Sequence, residues 1–136
     1  MTIPHPLSAS LLVALGGAAG ALLRYQTGRT VVNWIGIPAA TTFPWATLIV
    51  NVTGSLMMGL LAGWLARHGS VENESLRLLL GVGVLGGFTT FSAFSMELVL
   101  LAERGAYGLA AAYAGFSVIA GVTAMVLGLL IMRAPA

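Results

Sequence analysis

The sequence predicts an all-α membrane protein with four transmembrane helices, the third broken near its middle. Three observations carry that prediction. Of 136 residues, 58% are apolar and 7% charged, against about 25% charged in soluble domains. Four segments approach the roughly 20 apolar residues needed to cross a bilayer: Leu7 to Thr30, Trp45 to Leu65, Leu76 to Leu101 and Tyr107 to Met132. The third contains GGFTTFSAF, residues 86 to 94. Glycines weaken a helix, and hydroxyls offer its carbonyls alternative partners. A plain anchor has no use for either.

The first segment has no Lys or Arg ahead of its apolar run and no clean small-residue cleavage site, so it reads as a spanning helix rather than a signal peptide. WIGIPAATTFP, 34 to 44, supplies two prolines and a glycine as punctuation for the first connection. RHGSVENES, 67 to 75, is the most polar stretch and forms the second; ERGAYG, 103 to 108, forms the third as a tight turn. Nothing marks a second domain, so residues 1–136 read as one four-helix unit. Gly16/Gly20, Gly59/Gly63 and Gly83/Gly87 repeat the GxxxG spacing that lets membrane helices approach closely. Trp34, Trp45, Trp64 and Tyr107 fall at segment ends, where interfacial aromatic belts form.

Four spans place both termini and the second connection on one side. That side receives Arg67, Arg77 and Arg133; the other receives Arg29 and Arg104, with Arg24 nearest to it. Three against three gives no positive-inside preference. The balance predicts insertion in both orientations and pairing of opposite copies as an antiparallel homodimer. One small four-helix chain has little room for a polar passage of its own, so a passage between two copies is the more natural geometry.

Polar groups at membrane depth suggest function by default. Asn51 lies inside the second helix, with Thr47 one turn before and Ser55 one turn after on the same face; interhelical glue is the equally open reading of this trio. A break at GGFTTFSAF is tolerated at depth only where it is buried or lines a cavity. Its freed carbonyls can coordinate a cation. Phe91 and Phe94 share a face, and aromatic ring edges are electropositive enough to favour a small anion, though two such residues are also ordinary packing. Tyr113 and Ser117, four apart on the last helix, offer hydroxyls to a polar track, with Thr123 beyond them. Arg24 and Glu97 are the charges placed deepest, as an ion pair, a cap or pore-entrance groups.

GGAAGALLRY (16–25), WATLIVNVTGSLMMG (45–59) and GVLGGFTTFSAFSME (83–97) together resemble the signatures of the CrcB/Fluc fluoride channels, in order along all four helices. The resemblance implies a fluoride-selective channel that passively exports fluoride from the microbial cytoplasm and lowers its toxicity. It implies a dual-topology homodimer in the cell's inner membrane, with two fluoride pathways. By matching positions, it puts Asn51, Phe91, Phe94, Tyr113 and Ser117 on the pathway; Thr47, on the face of Asn51, and Ser92, a hydroxyl donor in the third motif, are expected to join them. It puts the backbone carbonyls of Gly86 and Thr89 around a structural sodium ion at the dimer centre, and makes Arg24 the first-helix arginine. Two positions depart from the pattern: Ala93 stands where the family usually carries Thr, and Gly121 where some relatives carry Ser.

Rival functions fit less well. A small multidrug-type cation exporter is also short, four-helical and dual in topology, but its pattern has a membrane-embedded Glu in the first helix, and this first helix has no acidic residue. A purely structural subunit accounts for the GxxxG spacing but not for Asn51 together with GGFTTFSAF. There is no Cys and no Asp, and the two histidines, His5 and His68, lie near segment ends. An enzyme would need a nucleophile with an identifiable base, and none is present.

Overall fold

The computed structural model describes residues 5–68 and 73–134. The described residues are helical apart from short joints: α1 (Pro6–Ile35), α2 (Ile37–Thr42), α3 (Trp45–His68), α4 (Glu74–Leu76), a π-helical stretch (Arg77–Leu85), α5 (Gly86–Phe88), α6 (Phe91–Glu103) and α7 (Tyr107–Arg133). Four spans are long and apolar enough to cross a membrane: Pro6–Ile35, Trp45–His68, Glu74–Glu103 and Tyr107–Arg133. All four expected spans are present. The first runs five residues past its expected end at Thr30, because no proline or glycine stops it before Gly36, whose φ of 82° suits glycine. The first connection is more ordered than its prolines suggest. Pro38 sits in the first turn of α2, where a missing N–H is tolerated, and the Thr41 and Thr42 hydroxyls bond back to the Ile37 and Pro38 carbonyls. Within the second expected connection, residues 69–72 lie outside the described residues. Gly105, at φ 73°, turns the chain between α6 and α7.

The spans pack as two close pairs. In the first, α1 lies against the first half of the third span. Side-chain atoms at Gly16 and Gly20 would run into the backbone of Leu79, Gly83, Val84 and Phe88, and one at Gly87 would run into Gly17. In the second pair, α3 lies against α7: a side chain at Gly59 would strike Met125, one at Gly63 would strike Met132 and Leu129, and one at Gly128 would strike Leu56 and Leu60. The expected GxxxG positions are thus the points of closest approach, and Gly128 joins them. Dispersion over such contacts is what holds helices together where lipid is as apolar as they are. Arginines close the helix ends. Arg67 donates to the Met132 and Ala134 carbonyls, and Arg104 donates to the Thr41 carbonyl at the end of α2.

Candidate functional site

The third span changes direction at Thr89 and Thr90. Both residues are extended, with ψ 158° and ψ 117°, between α5 and α6. The break falls inside the expected motif, at its threonines and not at its glycines; the Thr89 hydroxyl bonds the Leu85 carbonyl, as expected of such residues. Gly86 and Gly87 are helical; Gly87 serves the approach to α1. The break is held from outside by Asn51. Its amide Nδ2 donates to the Thr90 carbonyl at 3.0 Å, and its Oδ1 accepts the Thr90 N–H at 2.8 Å. One side chain therefore satisfies both backbone groups of the residue that leaves the helix, which in a membrane would otherwise stay unpaired. Thr90 then starts α6 as its N-cap, its hydroxyl accepting the Ala93 N–H. In an unbroken helix the Thr90 N–H would go to the Gly86 carbonyl four residues back. With that donor turned to Asn51, the Gly86 carbonyl is left without it.

Room for the break comes from Gly54, one turn along α3 from Asn51. A Cβ there would collide with the Thr89 methyl and crowd the Phe88 ring. Sequence reasoning passed over Gly54. The available signal was a glycine three residues from the membrane-depth asparagine, on the same helix face.

Beside the break opens a cavity of about 300 Å³ lined by α3 (Asn51, Gly54, Ser55, Met58), the break (Thr89, Thr90), α6 (Phe91, Phe94) and α7 (Ser117, Val118, Met125). The Phe91 and Phe94 rings lie 5.7 Å apart with planes tilted by 41°. Phe91 is 78% exposed on the single chain. The Ser117 hydroxyl is buried without a hydrogen-bond partner among the described residues.

Because α3 and α7 are the second and fourth spans, they run in the same direction, and their polar residues pair level by level. Thr47 and Tyr113 meet at Glu97: the Thr47 hydroxyl donates to Oε1 at 2.7 Å and the Tyr113 hydroxyl to Oε2 at 2.6 Å. One turn on, Asn51 and Ser117 face the same cavity. One further turn on, Ser55 approaches Gly121. Tyr113 is fully buried, its ring 5.1 Å from Phe94 and edge-on to Phe43 at 5.4 Å.

Several candidates thus stand apart from the cavity. Thr47, Tyr113 and Glu97 form a separate hydrogen-bonded group one turn from Asn51. Ser92 is exposed in the first turn of α6, 3.3 Å from the Thr90 hydroxyl. Thr123 is exposed. Arg24 is not paired with Glu97; among the described residues the ion pair is Arg77 with Glu74. Arg24 lines a second cavity, about 220 Å³, with Gly28, Thr47, Val50, Thr90 and Ala93. The alanine departure at 93 therefore falls on the arginine side of the break, away from the phenylalanines.

Comparisons with known proteins match most of the chain. The sequence model of a family described as "CrcB-like protein, Camphor Resistance (CrcB)" matches residues 11–129. A protein of Novosphingobium aromaticivorans named "Fluoride-specific ion channel FluC" is 60% identical over 127 residues, covering 93% of this chain and 98% of that one. Proteins of the same name from Erythrobacter litoralis and Caulobacter sp. (strain K31) are 53% and 52% identical, over 97% and 90% of this chain and 96% and 93% of their own lengths.

Proposed function

The chain belongs to the CrcB family, and on that premise we propose that this multi-pass membrane protein is a fluoride-selective channel, passively exporting fluoride from the cytoplasm across a microbial inner membrane and so lowering fluoride toxicity. The observation that carries the reading is the cavity at the break. There an asparagine amide, an unpartnered serine hydroxyl and two phenylalanine rings converge without a formal charge.

Fluoride is small and strongly hydrated, and an unpaired ion in a low-dielectric interior is very unfavourable. Replacement donors must therefore meet it along the way. Asn51 Nδ2 carries two hydrogens; one goes to the Thr90 carbonyl and the second remains for an anion. The Ser117 hydroxyl is a second donor. Phe91 and Phe94 line the same cavity, and aromatic ring edges are electropositive enough to favour an anion; Ser92 stands at the start of the same helix. Thr47 and Tyr113, fixed on Glu97, bound the path one turn away. Neutral donors hold an anion weakly enough to let it leave, which conduction requires. Arg24 stays to one side, where it raises the local anion concentration at an entrance without binding the ion along the path.

The working unit in this reading is an antiparallel homodimer. A helix break at membrane depth needs cover, and on the single chain Phe91 and Gly86 are exposed beside the break. The even split of arginines supports insertion in both orientations. The Gly86 carbonyl, deprived of its helical donor, and the Thr89 carbonyl at the break suit a hard monovalent cation, so these oxygens, contributed by both copies, would hold a structural sodium ion. When bound, such an ion offsets anion repulsion and ties the two copies together.

The test is efflux from liposomes carrying the purified protein, followed with fluoride and chloride electrodes in parallel. Fast passive fluoride release with chloride retained is expected; no fluoride release from folded dimers would remove the channel reading. Tags at the C-terminus, probed from both membrane faces, test the topology: labelling from one face alone would exclude dual insertion.

A further inference from the structure

We infer that Ser55 is a further hydrogen-bond donor on the anion path, supplying from α3 the hydroxyl that α7 lacks at Gly121. The inference rests on the fluoride-channel reading and adds a residue to it.

Helical hydroxyls in this protein mostly turn back onto their own helix. Ser10, Thr30, Thr53 and Ser95 each donate to the carbonyl four residues earlier, as such residues commonly do in helices. Two hydroxyls on the cavity wall behave differently. Ser117 is buried without a partner. The Ser55 hydroxyl forms no hydrogen bond among the described residues, although Thr53, two positions away, forms two. Both line the same cavity as Asn51.

The register of α3 against α7 says what Ser55 is for. Thr47 lies level with Tyr113, and Asn51 with Ser117. The next level pairs Ser55 with Gly121, where a Cβ on the glycine would lie 3.5 Å from the Ser55 oxygen. That is ordinary van der Waals distance, so the hydroxyl occupies the neighbourhood that a side chain at 121 would enter. An ion leaving the Asn51–Ser117 level meets Met58 and Met125 on the cavity wall. Ser55 is the donor that extends the polar surface by one turn in that direction.

The experiment compares fluoride efflux from liposomes for the unmodified protein, Ser55→Ala, Gly121→Ser and the double variant, each checked for dimer elution. Ser55→Ala removes one donor to a desolvated anion and should slow efflux roughly tenfold. Gly121→Ser alone should leave the rate near that of the unmodified protein. In the double variant the hydroxyl returns on the opposite wall, and efflux should recover most of the loss, which a merely structural serine would not allow. Ser55→Ala at the unmodified rate, or a double variant as slow as Ser55→Ala, would overturn the inference while leaving the channel reading intact. Absence of fluoride efflux from the unmodified protein would overturn both.

Discussion

The two halves of the third span solve the problem of packing in lipid in opposite ways. The half before the break meets α1 through glycines, backbone on backbone, with no side chain between the helices at the crossing. The half after it, α6, carries Phe91, Phe94 and Glu97, and meets its neighbours through rings and hydrogen bonds that leave a cavity open. Close packing leaves no volume for an ion, whereas long side chains held at their tips do. A rigid half and an open half on one span thus divide a packed scaffold from the cavity proposed as the pathway, and Asn51 joins them at the break.

The largest effect should come from filling the scaffold half. Gly20→Leu drives a side chain into the Val84 carbonyl and the Phe88 N–H and should lower stability by about 3 kcal/mol, seen as loss of the monodisperse peak in detergent. Gly28→Leu, on the same helix with open space around it, should elute normally. Equal behaviour of the two would erase the distinction between the halves.

Next comes the joint. Asn51→Leu strands the Thr90 N–H and carbonyl at the edge of a cavity, for about 1 kcal/mol each, the low end for unpaired groups. A thermal melt should fall measurably, and fluoride efflux should stop. Asn51→Asp keeps the acceptor for the N–H and should lie between.

A stability loss no larger than that is expected in the open half. Glu97→Ala leaves the Thr47 and Tyr113 hydroxyls without their shared acceptor, for about 2 kcal/mol; Glu97→Gln keeps one acceptor oxygen and should lose less. Melting temperatures in that order support the hydrogen-bonded group, and identical melts would remove it. The smallest effect belongs to Phe43→Leu, which removes the edge-on contact with Tyr113 and should lower stability by about 1 kcal/mol with the fold kept.

How much of this was legible beforehand follows the same division. The spans and the break were readable because hydropathy, composition and helical spacing are local properties. The GxxxG positions were readable for the same reason, although which helix meets which was not. What escaped depends on partners distant in sequence. The glycines and threonines of GGFTTFSAF read together as the breakers, yet Gly86 and Gly87 stay helical and the break belongs to the threonines alone, because an asparagine some 40 positions earlier satisfies the Thr90 backbone. Glu97 takes hydroxyls from α3 and α7 rather than Arg24, a choice made by the register of three helices. That register is set by glycine contacts such as Gly59 on Met125 and Gly128 on Leu56, which no single segment reveals. The π-helical stretch before the break and the short α2 in the first connection carry no local signal strong enough to separate them from an ordinary helix and a proline-marked loop.

The most direct test of the division between scaffold and pathway replaces Phe91 and Phe94 by Ile, singly and together, and measures fluoride efflux from liposomes alongside dimer elution and helix content. Fluoride flux should be lost while dimer and helices stay intact, because ring edges are removed and apolar volume is largely kept. Flux unchanged in the double variant would contradict the account.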